Sequence, residues 1–182
     1  DAFRLNIKSK YFLPVDSLHG KFIKLPKTAS ESLLQIIGYM LGDAHVSKRV
    51  IRFKDRDKVV LEKYKKLIKK VFSVDSRLCK IPETDAYLLE VNSYYLSEWL
   101  KLNFVNRLNE FISNIGKLPK NQISSFIKGL YDAEGSIGIE SRQLLISMTN
   151  ERIIKTLQFL LLRFGILASL SESERKGNWN KV

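Results

Sequence analysis

The sequence has few of the residues on which several common chemistries depend. Its single cysteine, Cys79, excludes a disulfide framework and a cysteine-rich zinc site. Its two histidines, His19 and His45, argue against a zinc hydrolase as well. No apolar run is long enough to span a bilayer, and no signal-peptide pattern opens the chain. These features predict an intracellular protein without a membrane partner, cytoplasmic in a prokaryote or archaeon or located within an organelle.

Apolar and basic residues are abundant instead. Hydrophobic residues make up 45% of the 182 residues, enough to bury a core as one domain or two fused subdomains. The net charge of +12 points to an anionic polymer as partner. Residues 1–29, 30–103 and 104–182 each carry a net +4, so the charge is not confined to a tail. A long binding site contacted by both halves fits this distribution better than a charge that serves only solubility.

Two nine-residue stretches repeat one another along the chain. Residues 36–44 and 127–135 are both apolar, with a glycine at the third place and an acid at the eighth. Gly38 precedes Gly129 by 91 residues, and Asp43 precedes Glu134 by the same 91. The spacing indicates an internal duplication that places two carboxylates at matching positions.

The first copy, residues 30–103, predicts the order αββαββα. A buried helix runs to about Gly42 with Thr28 or Ser30 as N-cap, and a second helix, capped by Asp55, runs to about Phe72. Hairpins follow the two helices at 44–54 and 74–92, and a helix over 93–102 closes the unit. The lysines of the second helix favour a solvated outer face over a DNA-binding patch. Residues 1–29 form a basic extension that either follows phosphates or is a free tail.

The order restarts after a connecting segment at 104–118. In the second copy, residues 119–182, a helix over 121–134 precedes a hairpin at 136–149 and a helix over 150–164. Residues 165–170 parallel 73–78, and 179–182 parallel 87–90, so this repeat is expected to be incomplete. The predicted class is α+β.

The repeated helices are the predicted chemical centre. Small residues one turn apart, Gly38 with Gly42 and Gly129 with Ala133, allow two apolar helices to pack closely. Each acid then lies at a helix C-terminus, where the macrodipole disfavours a negative charge, and the two acids repel each other. Divalent cations remove both penalties, and Mg²⁺ prefers carboxylates, waters and phosphate oxygens.

These nonapeptides resemble the LAGLIDADG motif of homing endonucleases. The second copy matches closely from Gly129 to Gly135, with Glu134 at the place of the catalytic acid. The first copy retains Asp43 but has Ala44 where the motif usually has glycine, which puts the turn geometry in question. The resemblance extends from about residue 30 to the end of the chain.

The resemblance implies a single-chain, monomeric endonuclease that cuts both strands of a long, nearly asymmetric DNA site. It implies a pseudo-two-fold saddle of two antiparallel sheets, joined by the motif helices. Asp43 and Glu134 would bind two or more Mg²⁺ ions, with the carbonyls of Gly42 and Ala133 completing the shells. An RNA-splicing maturase and a non-catalytic DNA-binding relative are the alternatives, RNA being the second candidate partner. Since splicing residues of an intein are not evident, an intron-encoded or free-standing gene is expected.

The family often has a basic residue at the end of the second strand of a repeat. Lys54 holds that place, either as a catalytic residue or as a phosphate contact, and its counterpart is expected to be Thr149. His45 is a candidate general base, although a DNA contact is the favoured role. Strand alternation places Ile51, Phe53, Leu78, Ile137 and Ile139 inward. The residues expected to contact DNA are His45, Ser47, Arg52, Lys54, Arg77, Ser136, Glu140, Arg142, Ser147 and Thr149.

Overall fold

The computed structural model of the chain describes residues 23–140 and 142–172, which form an α+β fold. The helices are α1 (Glu31–Asp43), α2 (Lys58–Phe72), α3 (Tyr94–Leu100), α4 (Leu108–Ile115), α5 (Lys120–Glu134) and α6 (Glu151–Leu162). The strands are β1 (Ala44–Val46), β2 (Val50–Asp55), β3 (Arg77–Lys80), β4 (Tyr87–Asn92), β5 (Gly135–Gly138) and β6 (Gln143–Ile146). No helix of these ranges is long and apolar enough to cross a membrane.

The first copy builds a four-stranded antiparallel sheet with the strand order β1-β2-β4-β3. Its inner face is covered by helices, and Ile51 and Phe53 of β2 are each 1% exposed there, as strand alternation predicts. The outer face is left open. The order αββαββα predicted for residues 30–103 is confirmed.

Helix α1 is buried over 33–40, which confirms that it is an interior helix and not an amphipathic one. Ser30 caps it by accepting a hydrogen bond from the Leu33 N–H. It packs along α5 so closely that a β-carbon at Gly38 would lie 2.2 Å from the Phe126 carbonyl oxygen. A β-carbon at Gly129 would lie 2.1 Å from the Gln35 carbonyl oxygen. The predicted glycine seam between the two halves is therefore present.

The segment expected as a connector, 104–118, is part of the core. A π-helical turn (Lys101–Val105) extends α3, and α4 follows it. Aromatic rings form a continuous chain of edge-to-face contacts through the interior, with centroids 5.4–5.7 Å apart. The chain consists of Phe72, Trp99, Phe104, Phe111 and Phe126. It connects α2 of the first copy to α5 of the second through the supposed linker.

The second copy departs from expectation in its sheet. Within the described residues it has only the hairpin of β5 and β6, and 165–172 contain no strand, so the predicted parallel to 73–78 is wrong there. Ile137 and Ile139 were expected to pack inward but are 66% and 85% exposed. The physical reason is that, within the described residues, only β5 and β6 form this sheet, and no helix there covers the two isoleucines. Residues 179–182 lie outside the described residues.

A local correction concerns the start of α2. Asp57, rather than Asp55, is its N-cap and accepts a hydrogen bond from the Val59 N–H at 2.8 Å. Asp55 accepts a hydrogen bond from the Asp57 N–H instead, which frees its second carboxylate oxygen for another partner.

Candidate metal and nucleic-acid site

The two motif acids end the two paired helices. Asp43 is the last residue of α1 and Glu134 the last of α5, and the chain becomes extended directly after each. A β-carbon at Gly42 would lie 3.1 Å from Glu134 Cγ and 3.9 Å from its Oε1. The Glu134 carboxylate thus lies beside α1, one residue before Asp43. Glycine at position 42 leaves room for this approach.

The surroundings of Asp43 disfavour its negative charge. Partial burial raises the pKa of the Asp43 carboxyl above its usual value, and the neighbouring Asp55 carboxylate raises it further. The Lys54 ammonium opposes this and lowers the pKa. The pKa of Asp43 is raised overall, so its negative charge is unfavourable in the folded protein. A bound cation would remove that cost.

Asp43→Asn is therefore expected to stabilise the metal-free protein at neutral pH. Since the folded-state pKa of Asp43 is raised, its ionised form costs stability above that pKa, and the cost vanishes as pH falls through it. We expect a melting temperature about 1–2 °C higher than wild type in EDTA at pH 7, a small gain because the group is largely exposed. Circular dichroism melts from pH 7 to pH 4 should show the gain shrinking. A lower melting temperature at pH 7 would contradict the electrostatic account.

Strand register places a different residue beside each acid. Ala44 pairs with Phe53, so Lys54 lies opposite Asp43 at the start of β1. Gly135 pairs with Ile146, so the residue opposite Glu134 is Ser147. The expected counterpart of Lys54, Thr149, is therefore wrong by two residues, because β6 ends at Ile146 and is shorter than the strand that the sequence pattern indicated. Neither serine nor threonine supplies a charge. A cationic side chain opposite the motif acid, Lys54, is therefore present in the first copy and absent from the described second copy.

A tyrosine inside α1 fixes the strand end that carries Lys54. The buried Tyr39 hydroxyl donates to Asp55 Oδ2 at 2.8 Å and lies 3.2 Å from the Lys54 carbonyl oxygen. Burial and then the hydrogen bond to Asp55 raise the pKa of Tyr39 far above its usual value, so the hydroxyl stays neutral. Sequence reasoning missed Asp55 in this role. The available signal was a tyrosine in an otherwise apolar helix, since a buried hydroxyl requires a partner.

A second unexpected cluster joins the two halves. Asp132 Oδ2 on α5 accepts hydrogen bonds from Gln35, Tyr64 and Lys63, at 3.1 Å from the first and 2.7 Å from the second. Lys63 was expected on a solvated face, but its ammonium forms an ion pair with Asp132. The corresponding residue of the first motif is Leu41, so the cluster exists once. Nothing in the local sequence indicated it, because its four members come from three helices.

Asp132→Ala is expected to lower the free energy of unfolding by about 2 kcal/mol, because three donors lose a shared, largely buried acceptor. The matched control is Asp75→Ala, which also removes an aspartate paired with a lysine, Lys69. The Asp75 side chain is 69% exposed, so its removal should cost less than about 0.5 kcal/mol. Urea unfolding measures both variants, and equal costs would refute a specific role for the cluster.

The outer face of the first sheet carries most of the cationic residues expected to contact DNA. His45, Arg52, Lys54 and Arg77 are exposed there. Ser47 is an exception, because its hydroxyl donates to the Val50 carbonyl oxygen at 2.8 Å and is occupied in the β1–β2 turn. In the second copy the residues expected to contact DNA are also exposed, next to exposed apolar residues of the β5–β6 hairpin. Arg142 is the one positively charged residue among those expected contacts. These second-copy residues are Ser136, Glu140, Arg142, Ser147 and Thr149.

The acidic residues at the seam could bind a divalent cation whose remaining ligands are waters or phosphate oxygens. Among the described residues no three His, Cys, Asp or Glu side chains cluster as a complete metal site. The carboxylates at this end of the paired helices are those of Asp43 and Glu134. This oxygen set suits Mg²⁺, which commonly keeps waters and takes phosphate oxygens as its remaining ligands.

Residues 121–182 match the family described as the LAGLIDADG-like domain. The chain is 43% identical over 175 residues to glutamine–fructose-6-phosphate aminotransferase of Methanocaldococcus jannaschii, covering 92% of this chain and 16% of that protein. It is 29% identical over 164 residues to the replication factor C small subunit of the same organism, covering 84% of this chain and 8% of that one. The chain thus spans a small part of these relatives.

The fold is similar to solved structures of LAGLIDADG proteins. The structure of I-DmoI in complex with DNA and Mn is 19% identical with a TM-score of 0.61, over 82% of this chain and 86% of that one. The N-terminal LAGLIDADG domain of DUF199/WhiA is 16% identical with a TM-score of 0.57, over 79% of this chain and 70% of that one. At these identities the likeness concerns the fold.

Proposed function

This chain belongs to the LAGLIDADG family, and from that premise we propose that it is a site-specific double-strand DNA endonuclease dependent on divalent metal ions. The observation that carries the proposal is that two acids end two closely packed helices, Asp43 on α1 and Glu134 on α5. Glu134 lies beside Gly42, next to Asp43, on a seam that only glycine permits. Paired acids at equivalent ends of a duplicated unit suit the hydrolysis of two phosphodiester bonds, one on each strand.

Each residue of the site has a defined task in this proposal. Asp43 and Glu134 hold the cations, with the carbonyls of Gly42 and Ala133 as further oxygen ligands. Bound divalent ions supply Lewis-acid stabilisation of the attacking and leaving oxygens. Lys54, opposite Asp43, orients a water molecule or neutralises charge on the scissile phosphate. Tyr39 and Asp55 hold the strand end from which Lys54 projects.

DNA is the proposed substrate because of where the charge lies. The open outer face of the first sheet carries several cationic side chains, and the whole chain has a net charge of +12. An antiparallel sheet with such a face can track a DNA groove. The related structure of I-DmoI was solved with DNA and Mn, which supports the same substrate class and a divalent metal.

The relatives named above suggest that this chain is a unit inserted into unrelated proteins. An aminotransferase and a replication factor subunit differ in activity by their names, yet each contains a segment similar to most of this chain. Because that segment is 16% of one and 8% of the other, it does not define either protein. A self-contained unit inserted into unrelated coding sequences explains this pattern. This pattern favours insertion within a protein-coding gene. The intron-encoded or free-standing gene expected from the sequence alone stays an untested prediction.

A non-catalytic DNA-binding protein is the second candidate, because the cationic outer face of the first sheet could bind DNA without any cleavage. One experiment separates the two. The purified chain is incubated with a library of randomised DNA duplexes and, separately, of randomised RNA, with Mg²⁺, Mn²⁺ or EDTA, and bound and cut molecules are sequenced separately. Metal-dependent double-strand cuts at one sequence support the endonuclease. Selective binding without cuts under either metal supports the second candidate, and selective binding of RNA over duplex DNA supports a maturase.

A further inference from the structure

A row of four polar residues crosses the outer face of the first sheet. The register pairs His45 of β1 with Arg52 of β2, Arg52 with Glu90 of β4, and Glu90 with Arg77 of β3. Paired residues on antiparallel strands share a face, so all four side chains belong to the open surface. Arg52 and Arg77 are positively charged, and Glu90 alone is acidic.

Glu90 is held at both of its carboxylate oxygens. Arg52 Nε donates to Oε2 at 2.9 Å, and Asn92 Nδ2 donates to Oε1 at 3.2 Å. These bonds, Arg52 first, hold the pKa of the Glu90 carboxyl below its usual value, so it remains ionised. Of the two bonds, the one from Arg52 is the shorter and joins opposite charges, so it is the stronger contact. Glu90 therefore acts mainly on the Arg52 guanidinium, which it holds in place.

The bond to Glu90 uses the inner nitrogen of the Arg52 guanidinium. Within residues 23–140 and 142–172, its two terminal nitrogens form no hydrogen bond. The side chain remains 48% exposed. A guanidinium fixed at Nε presents its two terminal N–H groups outward as a planar fork. That fork matches O6 and N7 of guanine in the major groove.

We propose that Arg52 reads one guanine in the DNA target and that Glu90 is the positioning residue that fixes the guanidinium for this contact. The inference rests on the proposed function and specifies what the outer face recognises. Bidentate recognition of a base requires a fixed guanidinium plane, which Glu90 supplies, whereas a phosphate can also be contacted through a single N–H group.

The guanine requirement should belong to one half-site only. Ser136 pairs with Leu145 in the second hairpin, so Leu145 holds the place that Arg52 holds in the first. Leucine offers no donor. The pseudo-symmetric position in the target should therefore show no comparable guanine preference, which distinguishes this contact from a symmetric binding pattern.

The test uses the target selected by the wild-type chain from a randomised duplex library. Every single-base variant of that target is then cut in one pooled reaction by wild type, Arg52→Lys and Glu90→Gln. Wild type should prefer guanine about tenfold or more at one position. Arg52→Lys should remove that preference, because lysine lacks the planar fork. Glu90→Gln should weaken the preference at the same position several-fold and leave the others unchanged.

The matched control is Glu62→Gln, which removes one acidic partner of a cation on α2, away from the sheet face. It should leave the whole specificity profile as in wild type. If Glu90→Gln changes all positions equally, or Arg52→Lys changes none selectively, the inference is wrong while the endonuclease stands. If the wild-type chain neither binds nor cuts any duplex, the proposed function fails, and the inference fails with it.

Discussion

Asp43→Asn and Glu134→Gln are each expected to lower the rate of double-strand cleavage by about 10³-fold or more, an effect on the order of 4 kcal/mol in the transition state. The amides keep the size of the side chains but lose the charge that binds a divalent ion. Affinity for the target should change less than about threefold in Ca²⁺ or EDTA, since the cationic outer face remains. Single-turnover cleavage and fluorescence anisotropy measure the two quantities separately.

The control for these variants is Asp85→Asn. Asp85 is an exposed acid in the turn between β3 and β4, on neither of the two paired helices. It should cut at the wild-type rate, because no charge of the proposed site changes. Normal cleavage by either seam variant would show that the two motif acids are not the metal ligands.

Gly129→Ala is expected to destabilise the protein by about 3 kcal/mol or more and to lower the melting temperature by roughly 6–12 °C. The new methyl group would lie 2.1 Å from the Gln35 carbonyl oxygen and 2.8 Å from the Tyr39 backbone nitrogen. Backbone atoms in a helix cannot rotate away as a side chain can, so α1 and α5 must separate. Gly38→Ala should behave similarly, because its methyl group meets the Phe126 carbonyl oxygen.

Gly116→Ala provides the matched control for the seam. A β-carbon there would meet side-chain carbons of Phe159 and Leu160 at 3.8 and 3.9 Å, which are ordinary contacts. Its φ of −61° suits alanine, so stability should stay within about 0.5–1 kcal/mol of wild type. If differential scanning calorimetry gives Gly129→Ala and Gly116→Ala the same melting temperature, the close approach of α1 and α5 is not what holds the halves together.

Local sequence patterns predicted the elements of this fold well where a signal was confined to neighbouring residues. The apolar run of α1, its cap at Ser30 and the alternation at Ile51 and Phe53 all match the structure. The seam was also predictable, because duplication placed Gly38 and Gly129 at equivalent positions. Periodicity and repeats carry such information without reference to the rest of the molecule.

Features that depend on partners distant in sequence were not predictable in the same way. Asp132 meets three donors from α1 and α2, and Asp55 turns from an expected helix cap into a partner of Tyr39. The inward position of Ile137 failed because alternation assumes a covered face, which the two-stranded hairpin lacks. Register decided the difference between Ser147 and Thr149, and a two-residue shift cannot be seen in alternation alone.

The two halves place an acid at the same position but differ in the residues and the sheet around it. The first has Lys54 beside its acid and a row of charged residues on a four-stranded sheet, whereas the second has Ser147 and a hairpin with exposed apolar residues. Recognition is therefore expected to rely more on the first half. Catalysis should depend on both halves, because each acid serves one strand.

The central claim is that this seam cuts both strands of DNA with divalent metal ions. A supercoiled plasmid carrying the selected target tests it most directly, by following the conversion of supercoiled DNA to nicked and linear forms as Mg²⁺ is titrated. The account predicts a linear product that requires Mg²⁺, is absent in EDTA and is lost in Asp43→Asn and Glu134→Gln. Binding of the target by the wild-type chain without any linear product, in Mg²⁺ or Mn²⁺, would contradict it.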